Sequence, residues 1–287
     1  MTRKPEWLKI QIKKGERFGV VQETIRAHEL HTICSSGLCP NRHHCWNLGT
    51  ATFMILGEIC TRSCRFCATK TGKPLPPDPD EPTKVADSIL KMNLKHGVIT
   101  SVDRDDLPDK GAGHWADTVR KIKEKNPTLV IELLIPDYDL PELKIVMDSS
   151  PDIIAHNLET VERLTPVVRG KATYSHSLQV LENIAAHGFF AKTGIMVGLG
   201  ETTEEVEQVL RDSRKVGCRA ITIGQYLQPT LAHIPVAEYV LPSRFEQYKK
   251  MGEKMGFDYI EAAPLVRSSF MAGESFAQIQ AKIKASR

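Results

Sequence analysis

The 287-residue chain has no apolar run approaching the roughly 20 residues a membrane-spanning helix needs. Its first residues, Met1, Thr2, Arg3, Lys4, Pro5, Glu6 and Trp7, hold no apolar stretch of the kind an export signal requires. The expectation is a cytoplasmic protein with no membrane partner. Charge of one sign is not in excess either: 38 Lys and Arg face 35 Asp and Glu, so no nucleic-acid partner is expected. Low-complexity tracts and long internal duplications are missing. Cysteine is scarce outside one stretch, since six of the seven fall between Cys34 and Cys67 and only Cys218 stands apart. In a chain without an export signal disulfides would be reduced, whereas thiols gathered so densely usually hold metal. Cys218 reads as a small buried hydrophobe.

With 41% hydrophobic residues the chain can build a substantial core. Strand-like runs are expected at residues 50–56, 97–102, 128–135, 152–157, 190–197 and 220–227. Amphipathic helical stretches fall near 83–95, 114–125, 140–149, 175–187, 203–216 and 244–255. Thr202 with Glu205, and Ser243 with Glu246, have the S/T-x-x-E spacing of a helix entrance. Strands alternating with helices predict a parallel sheet, which six such units can form as most of a barrel or as a doubly wound sheet. Either way chemistry gathers in the loops at the carboxyl ends of the strands. The unusual polar residues do fall there. Cys60, Cys64 and Cys67 follow the first strand; Ser101, Asp103, Arg104, Asp105 and Asp106 the second; Asn157 and Glu159 the fourth. The runs Gly198 to Glu201 and Gln225 to Pro229 follow the last two.

Cys60, Cys64 and Cys67 are spaced C-x3-C-x2-C. Three thiolates leave one iron of a [4Fe–4S] cubane open, whereas a structural zinc site wants four closed ligands. The spacing, with aromatic Phe66 before the last cysteine, resembles the signature of the radical S-adenosylmethionine superfamily. Cys34, Cys39 and Cys45, spaced C-x4-C-x5-C, resemble the auxiliary-cluster motif of the lipoyl synthase family. Arg267-Ser268-Ser269-Phe270 is similar to that family's R-S-S-Y block, with Phe270 in place of Tyr. The blocks Val98 to Leu107, His156 to Val161, Gly194 to Thr202 and Gly224 to Pro229 match as well. The His43–His44 pair inside the auxiliary loop is unusual for the family.

The resemblance implies an α/β fold, a partial (β/α)6 TIM-type barrel (50–256). Extensions at 1–49 and 257–287 would meet over the barrel mouth. It implies two [4Fe–4S] clusters, one on Cys60, Cys64 and Cys67, the other on Cys34, Cys39, Cys45 and Ser269. S-adenosyl-L-methionine would be chelated at the open iron and cleaved to a 5′-deoxyadenosyl radical. Its expected contacts are Ser101 and Asp103 near the methionyl amino group, Asn157 and Glu159 near the ribose, Arg169 near the carboxylate, and Phe66 elsewhere in the cofactor site. The segment from Gly198 to Glu201 is expected close to the adenine, and Leu227 is expected to bind the cofactor as well. The implied activity is a sulfurtransferase that inserts two sulfurs, at carbons 6 and 8, into an octanoyl-lysine, with the auxiliary cluster as sulfur source. Implied partners are octanoylated lipoyl carrier domains or H protein, an electron donor such as ferredoxin or flavodoxin, and an iron–sulfur carrier protein for cluster repair. Lys4, Lys9, Lys13, Lys14, Lys282 and Lys284 give both termini a basic character that suits an acidic carrier. Rival readings are a methylthiotransferase, whose extra cysteines need a larger N-terminal domain, and a biotin-synthase-like enzyme, which lacks the N-terminal triplet. An electron carrier would want closed clusters.

Overall fold

A computed structural model describes residues 4–10 and 15–269. Phe270, Lys13, Lys14, Lys282 and Lys284 lie outside the described residues. The strands of the main sheet are ordered β1-β2-β5-β6-β7-β8-β9-β10, and the chain forms two compact units.

The first unit covers residues 15–63 and 68–154. It contains α1 (Glu16–Ala27), β1 (His31–Thr32), α2 (Ile33–Ser36), α3 (Arg42–Asn47), β2 (Thr52–Ile55), β3 (Ile59–Cys60) and β4 (Lys70–Thr71). Then follow α4 (Glu81–Lys91), β5 (His96–Ser101), α5 (Ala112–Lys125), β6 (Val130–Leu134), α6 (Leu140–Asp148) and most of β7 (Ile153–Ala155). β2 pairs parallel with β5, and β5 with β6. All four residues of β2 are buried, as expected of a parallel strand covered on both faces. The covering helices carry the matching stripe: α4 buries Pro82, Val85, Ala86 and Ile89, and α5 buries Ala112, Trp115, Ala116, Val119 and Ile122. Just past β2, Leu56 turns left-handed at φ 69°. Glu81 at the start of α4 accepts its N–H at 2.7 Å, and Arg104 donates to its carbonyl at 3.3 Å, so the buried turn leaves neither group unpaired.

The second unit covers residues 4–10, 64–67 and 155–269. Its elements are α7 (Thr165–Val168), α8 (Tyr174–Ala186), β8 (Phe190–Val197), α9 (Thr203–Lys215), β9 (Ala220–Gln225), α10 (Pro242–Lys254) and β10 (Tyr259–Ala262). β8 pairs parallel with β9, and β9 with β10. α9 opens on the expected capping box: the Thr202 hydroxyl accepts from the Glu205 N–H, and the Glu205 carboxylate accepts from the Thr202 N–H at 2.8 Å.

Three expectations are corrected. The Ser243–Glu246 pair is not a cap, because α10 begins at Pro242 with Leu241 before it and no side-chain cap. Proline's fixed φ and missing N–H suit the first turn and move the entrance upstream. Four strands are shorter than read, among them β2 at Thr52–Ile55 and β7 at Ile153–Ala155, whereas β8 at Phe190–Val197 has the expected bounds. Among the described residues the main sheet has eight strands rather than six, because β1 adds antiparallel to β2 and β10 pairs parallel with β9.

Candidate cluster and cofactor sites

In the first unit the N-terminal triplet is assembled by local turns. Cys34 lies in α2, whose Thr32 hydroxyl caps the Ser35 N–H. The chain then folds back: the Cys39 N–H donates to the Cys34 carbonyl at 3.1 Å, and the Arg42 N–H to that of Cys39 at 3.2 Å. Cys45 lies in α3, and its carbonyl accepts from both the N–H and the hydroxyl of Thr50. α3 is held to α1 by an aromatic stack. Phe18 lies flat on His43 at 4.8 Å, tilts onto Trp46 at 5.1 Å, and Arg42 covers the Trp46 ring at 5.6 Å. His43 thus packs the loop that carries the thiols. Burial pushes the Cys45 thiol up to about 12, and the charges of Cys34 and Cys39 push the same way. Burial raises Cys34 too, with Cys39 adding to it. The thiols of Cys34 and Cys45 thus resist ionisation on their own, and a bound metal would favour their thiolate form. Among the described residues no three His, Cys, Asp or Glu side chains close on one point as ligands of a single ion would. A cubane puts each thiolate on a different iron, so its ligands stand apart.

Cys60 ends β3, whose parallel pairing with β4 closes the base of the second cysteine loop. Its buried sulfur accepts from the backbone N–H of Arg62 at 3.4 Å and of Asp103 at 3.3 Å. Burial and the Asp103 carboxylate push the thiol up to about 11, while the two N–H groups pull it down. Burial likewise raises the Asp103 carboxyl, against the pull of Arg62. Arg62 forks onto Asp105 with two bonds of 2.9 Å, bonds Asp137, and stands 3.5 Å from Asp103. The Ser101 hydroxyl is buried without a partner.

In the second unit the Cys64–Cys67 segment is a tight turn, with the Cys67 N–H donating to the Cys64 carbonyl at 3.0 Å. The Arg65 N–H donates to the Val168 carbonyl at 2.9 Å, and the Ile234 N–H to the Arg65 carbonyl at 3.2 Å. His233 Nε2 donates to the Cys67 carbonyl at 2.9 Å, which leaves Nδ1 to accept from the Thr230 hydroxyl. Phe66 packs against Val168, Leu199 and Tyr226. The Cys64 thiol donates to the Arg169 carbonyl at 3.5 Å.

At the end of β7, Asn157 Nδ2 donates to Glu159 at 3.0 Å and to the Ser268 hydroxyl at 2.7 Å, while its buried Oδ1 has no partner. A Cβ on Gly194 would stand 3.0 Å from that Oδ1 and 2.6 Å from the Thr222 hydroxyl, so only glycine leaves the approach open. Glu159 is left-handed at φ 66°. Burial raises its carboxyl, offset by Arg169 and Asn157. A buried carboxyl on a left-handed residue, beside an orphaned amide oxygen, is what a ligand rich in hydroxyl groups would complete. Beyond β8, the Glu201 carboxylate accepts the N–H of Leu199 at 2.9 Å and of Gly198, shaping that loop. Leu227 lies half-buried in the loop after β9. Ser268 is locked from two sides, because Lys192 Nζ also donates to its carbonyl at 2.7 Å. The adjacent Ser269 closes the described chain.

Arg62, Asp137, His233 and Lys192 escaped the sequence reading as site residues. Arg62 sits inside the C-x3-C-x2-C loop, which was a usable signal. The others are near in space only.

The radical SAM superfamily model matches residues 54–213. The chain is 58% identical over 273 residues to lipoyl synthase of Bacteroides fragilis, covering 94% of this chain and 95% of that one. It is 52% identical over 272 residues to lipoyl synthase of Treponema denticola, with 94% of each chain covered. In fold it is similar to methylornithine synthase (TM-score 0.55, 14% identity, 72% of this chain and 69% of that one). It is also similar to the hydrogenase maturase HydG of Carboxydothermus hydrogenoformans (TM-score 0.59, 12% identity, 93% and 78%). The fold and the three-thiol loop thus define a radical S-adenosylmethionine protein, in the partial TIM-type α/β class. Within that superfamily the chain belongs to the lipoyl synthase family.

Proposed function

We propose that this protein inserts two sulfur atoms at carbons 6 and 8 of an octanoyl-lysine carried on a lipoyl domain or H protein, using two [4Fe–4S] clusters. The observation that supports it best is the second thiol triplet, Cys34, Cys39 and Cys45, on a chain that folds back through the Cys39 N–H to Cys34 carbonyl bond of 3.1 Å, in a family whose radical chemistry needs only one triplet. When bound, the clusters and S-adenosylmethionine supply the radical that removes hydrogen from unactivated carbon and the sulfur that replaces it. The protein's part is to bind, orient and exclude water.

Cys60, Cys64 and Cys67 hold the first cluster. The N–H groups of Arg62 and Asp103 favour the Cys60 thiolate, and the bonds from His233 and Ile234 keep the Cys64–Cys67 turn from shifting. For S-adenosylmethionine, Asn157 Oδ1 and Glu159 are acceptors for the ribose hydroxyls. Arg169 serves the carboxylate, Ser101 and Asp103 the methionyl amino group, and Phe66, Gly198, Glu201 and Leu227 line the remainder. Cys34, Cys39, Cys45 and Ser269 hold the auxiliary cluster, and the lock on Ser268 fixes the backbone from which Ser269 reaches. A ferredoxin or flavodoxin supplies electrons and an iron–sulfur carrier rebuilds the consumed cluster, in the cytoplasm. No helix among the described residues is long and apolar enough to cross a membrane.

The test is mass spectrometry of an octanoylated carrier peptide incubated anaerobically with the reconstituted protein, dithionite and S-adenosylmethionine. Two sulfurs are gained, and two hydrogens are lost when the dithiol closes to the ring. A peptide of unchanged mass beside abundant 5′-deoxyadenosine would refute the reading.

A further inference from the structure

Arg62 is held far more firmly than a loop residue between two ligands requires. Its side chain is only 9% exposed and meets three carboxylates, Asp103, Asp105 and Asp137. Those carboxylates come from two loops, after β5 and after β6. Asp105 takes the guanidinium in a two-bond fork of 2.9 Å each, a geometry lysine cannot reproduce. Its neighbour Thr61 is tied to the same β5 loop three times. The Thr61 N–H and hydroxyl each donate to the Asp103 carbonyl at 3.0 Å, and the Asp105 N–H donates to the hydroxyl at 3.1 Å. These bonds set the relative place of two peptide groups, the N–H of Arg62 and that of Asp103, both aimed at the Cys60 sulfur.

We propose that Arg62 is a positioning residue for the reduction potential of the first cluster: its fork fixes the loop that keeps two N–H groups on the Cys60 sulfur. An N–H···S bond strengthens as a cluster sulfur gains electron density, so it favours the reduced state and raises the potential. Loosening the clamp therefore lowers the potential. The proposal rests on Cys60 being a cluster ligand.

Charge alone makes a different forecast, which allows a sign test. Arg62→Lys keeps the charge and loses the fork, Thr61→Val changes no charge, and Asp105→Asn removes a negative charge. Charge alone predicts no change in the first two and a rise in the third; the clamp predicts a fall in all three, smallest for T61V. The measurement is an anaerobic redox titration of the reconstituted full chain. It follows the electron paramagnetic resonance signal that changes when S-adenosylmethionine is added and is normalised to iron per chain. A more negative midpoint in R62K and D105N supports the clamp, and should those two load no cluster, a more negative midpoint in T61V supports it alone. An unmoved midpoint in R62K, a rise in D105N, or an unmoved T61V where it alone loads overturns it. A missing S-adenosylmethionine-responsive signal in the unaltered chain refutes the ligand assignment and the clamp with it.

Discussion

Glu81 is the first residue of a helix, yet its carboxylate is spent elsewhere. One oxygen accepts the Leu56 N–H and His114 Nε2, both at 2.7 Å. Leu56 is fully buried and left-handed, so water cannot replace the lost bond. Glu81→Ala is expected to cost roughly 1–3 kcal/mol, the penalty for an unsatisfied buried donor, while Glu81→Gln keeps an acceptor and costs less. Urea unfolding of the metal-free chain checks the order of the two. Cys218 offers a cleaner titration, because it is remote from both triplets in sequence and wholly buried. Burial pushes its thiol from about 9 up to about 12. A raised folded pKa means that its contribution to stability is complete below pH 9 and is lost as pH climbs toward 12, at about 1.4 kcal/mol per pH unit. Cys218→Ala is expected to be less stable at neutral pH but to decline less steeply between pH 9 and pH 11. Equal slopes for the two proteins would contradict this.

Elements were readable where one local rule decides. The strands buried on both faces stand out as short apolar runs, and the Thr202–Glu205 box marks the start of α9 because both of its partners lie within one turn. Thr202→Ala is expected to lower stability by about 1 kcal/mol with an unchanged denaturant slope, since the cap exists only in the folded state. β1 and β10 were not readable. Two and four residues carry no period, and each is a strand only because β2 or β9 offers an edge. Ser243 failed for the opposite reason: its spacing was right, but Pro242 takes the first turn and leaves it inside the helix. Loop pairings across long sequence separations, such as His233 with Cys67 or Arg62 with Asp137, follow from topology and leave no mark in local pattern.

For the molecule as a whole, thiol spacing singles out two triplets in the sequence, and the two tasks proposed for them should be separable. On the proposed reading one donor set would start the radical and the other would give up sulfur. Cys64→Ala is then expected to abolish 5′-deoxyadenosine formation and sulfur transfer together, since nothing remains to start the reaction. Cys45→Ala should leave 5′-deoxyadenosine formation measurable while sulfur transfer falls below detection and iron content drops by about half, one of two equal clusters being lost. Ser269→Cys belongs between these extremes. Thiolate is a softer and better matched ligand for iron–sulfur chemistry than alkoxide, so the auxiliary cluster should load fully and release sulfur more slowly. Product masses, 5′-deoxyadenosine and iron counted in one preparation of each variant read all three effects. If Cys45→Ala still thiolated the octanoyl peptide, sulfur would have to come from elsewhere and the auxiliary triplet would be structural. If Ser269→Cys transferred sulfur at the unaltered rate, the hydroxyl's weaker grip would play no part in release.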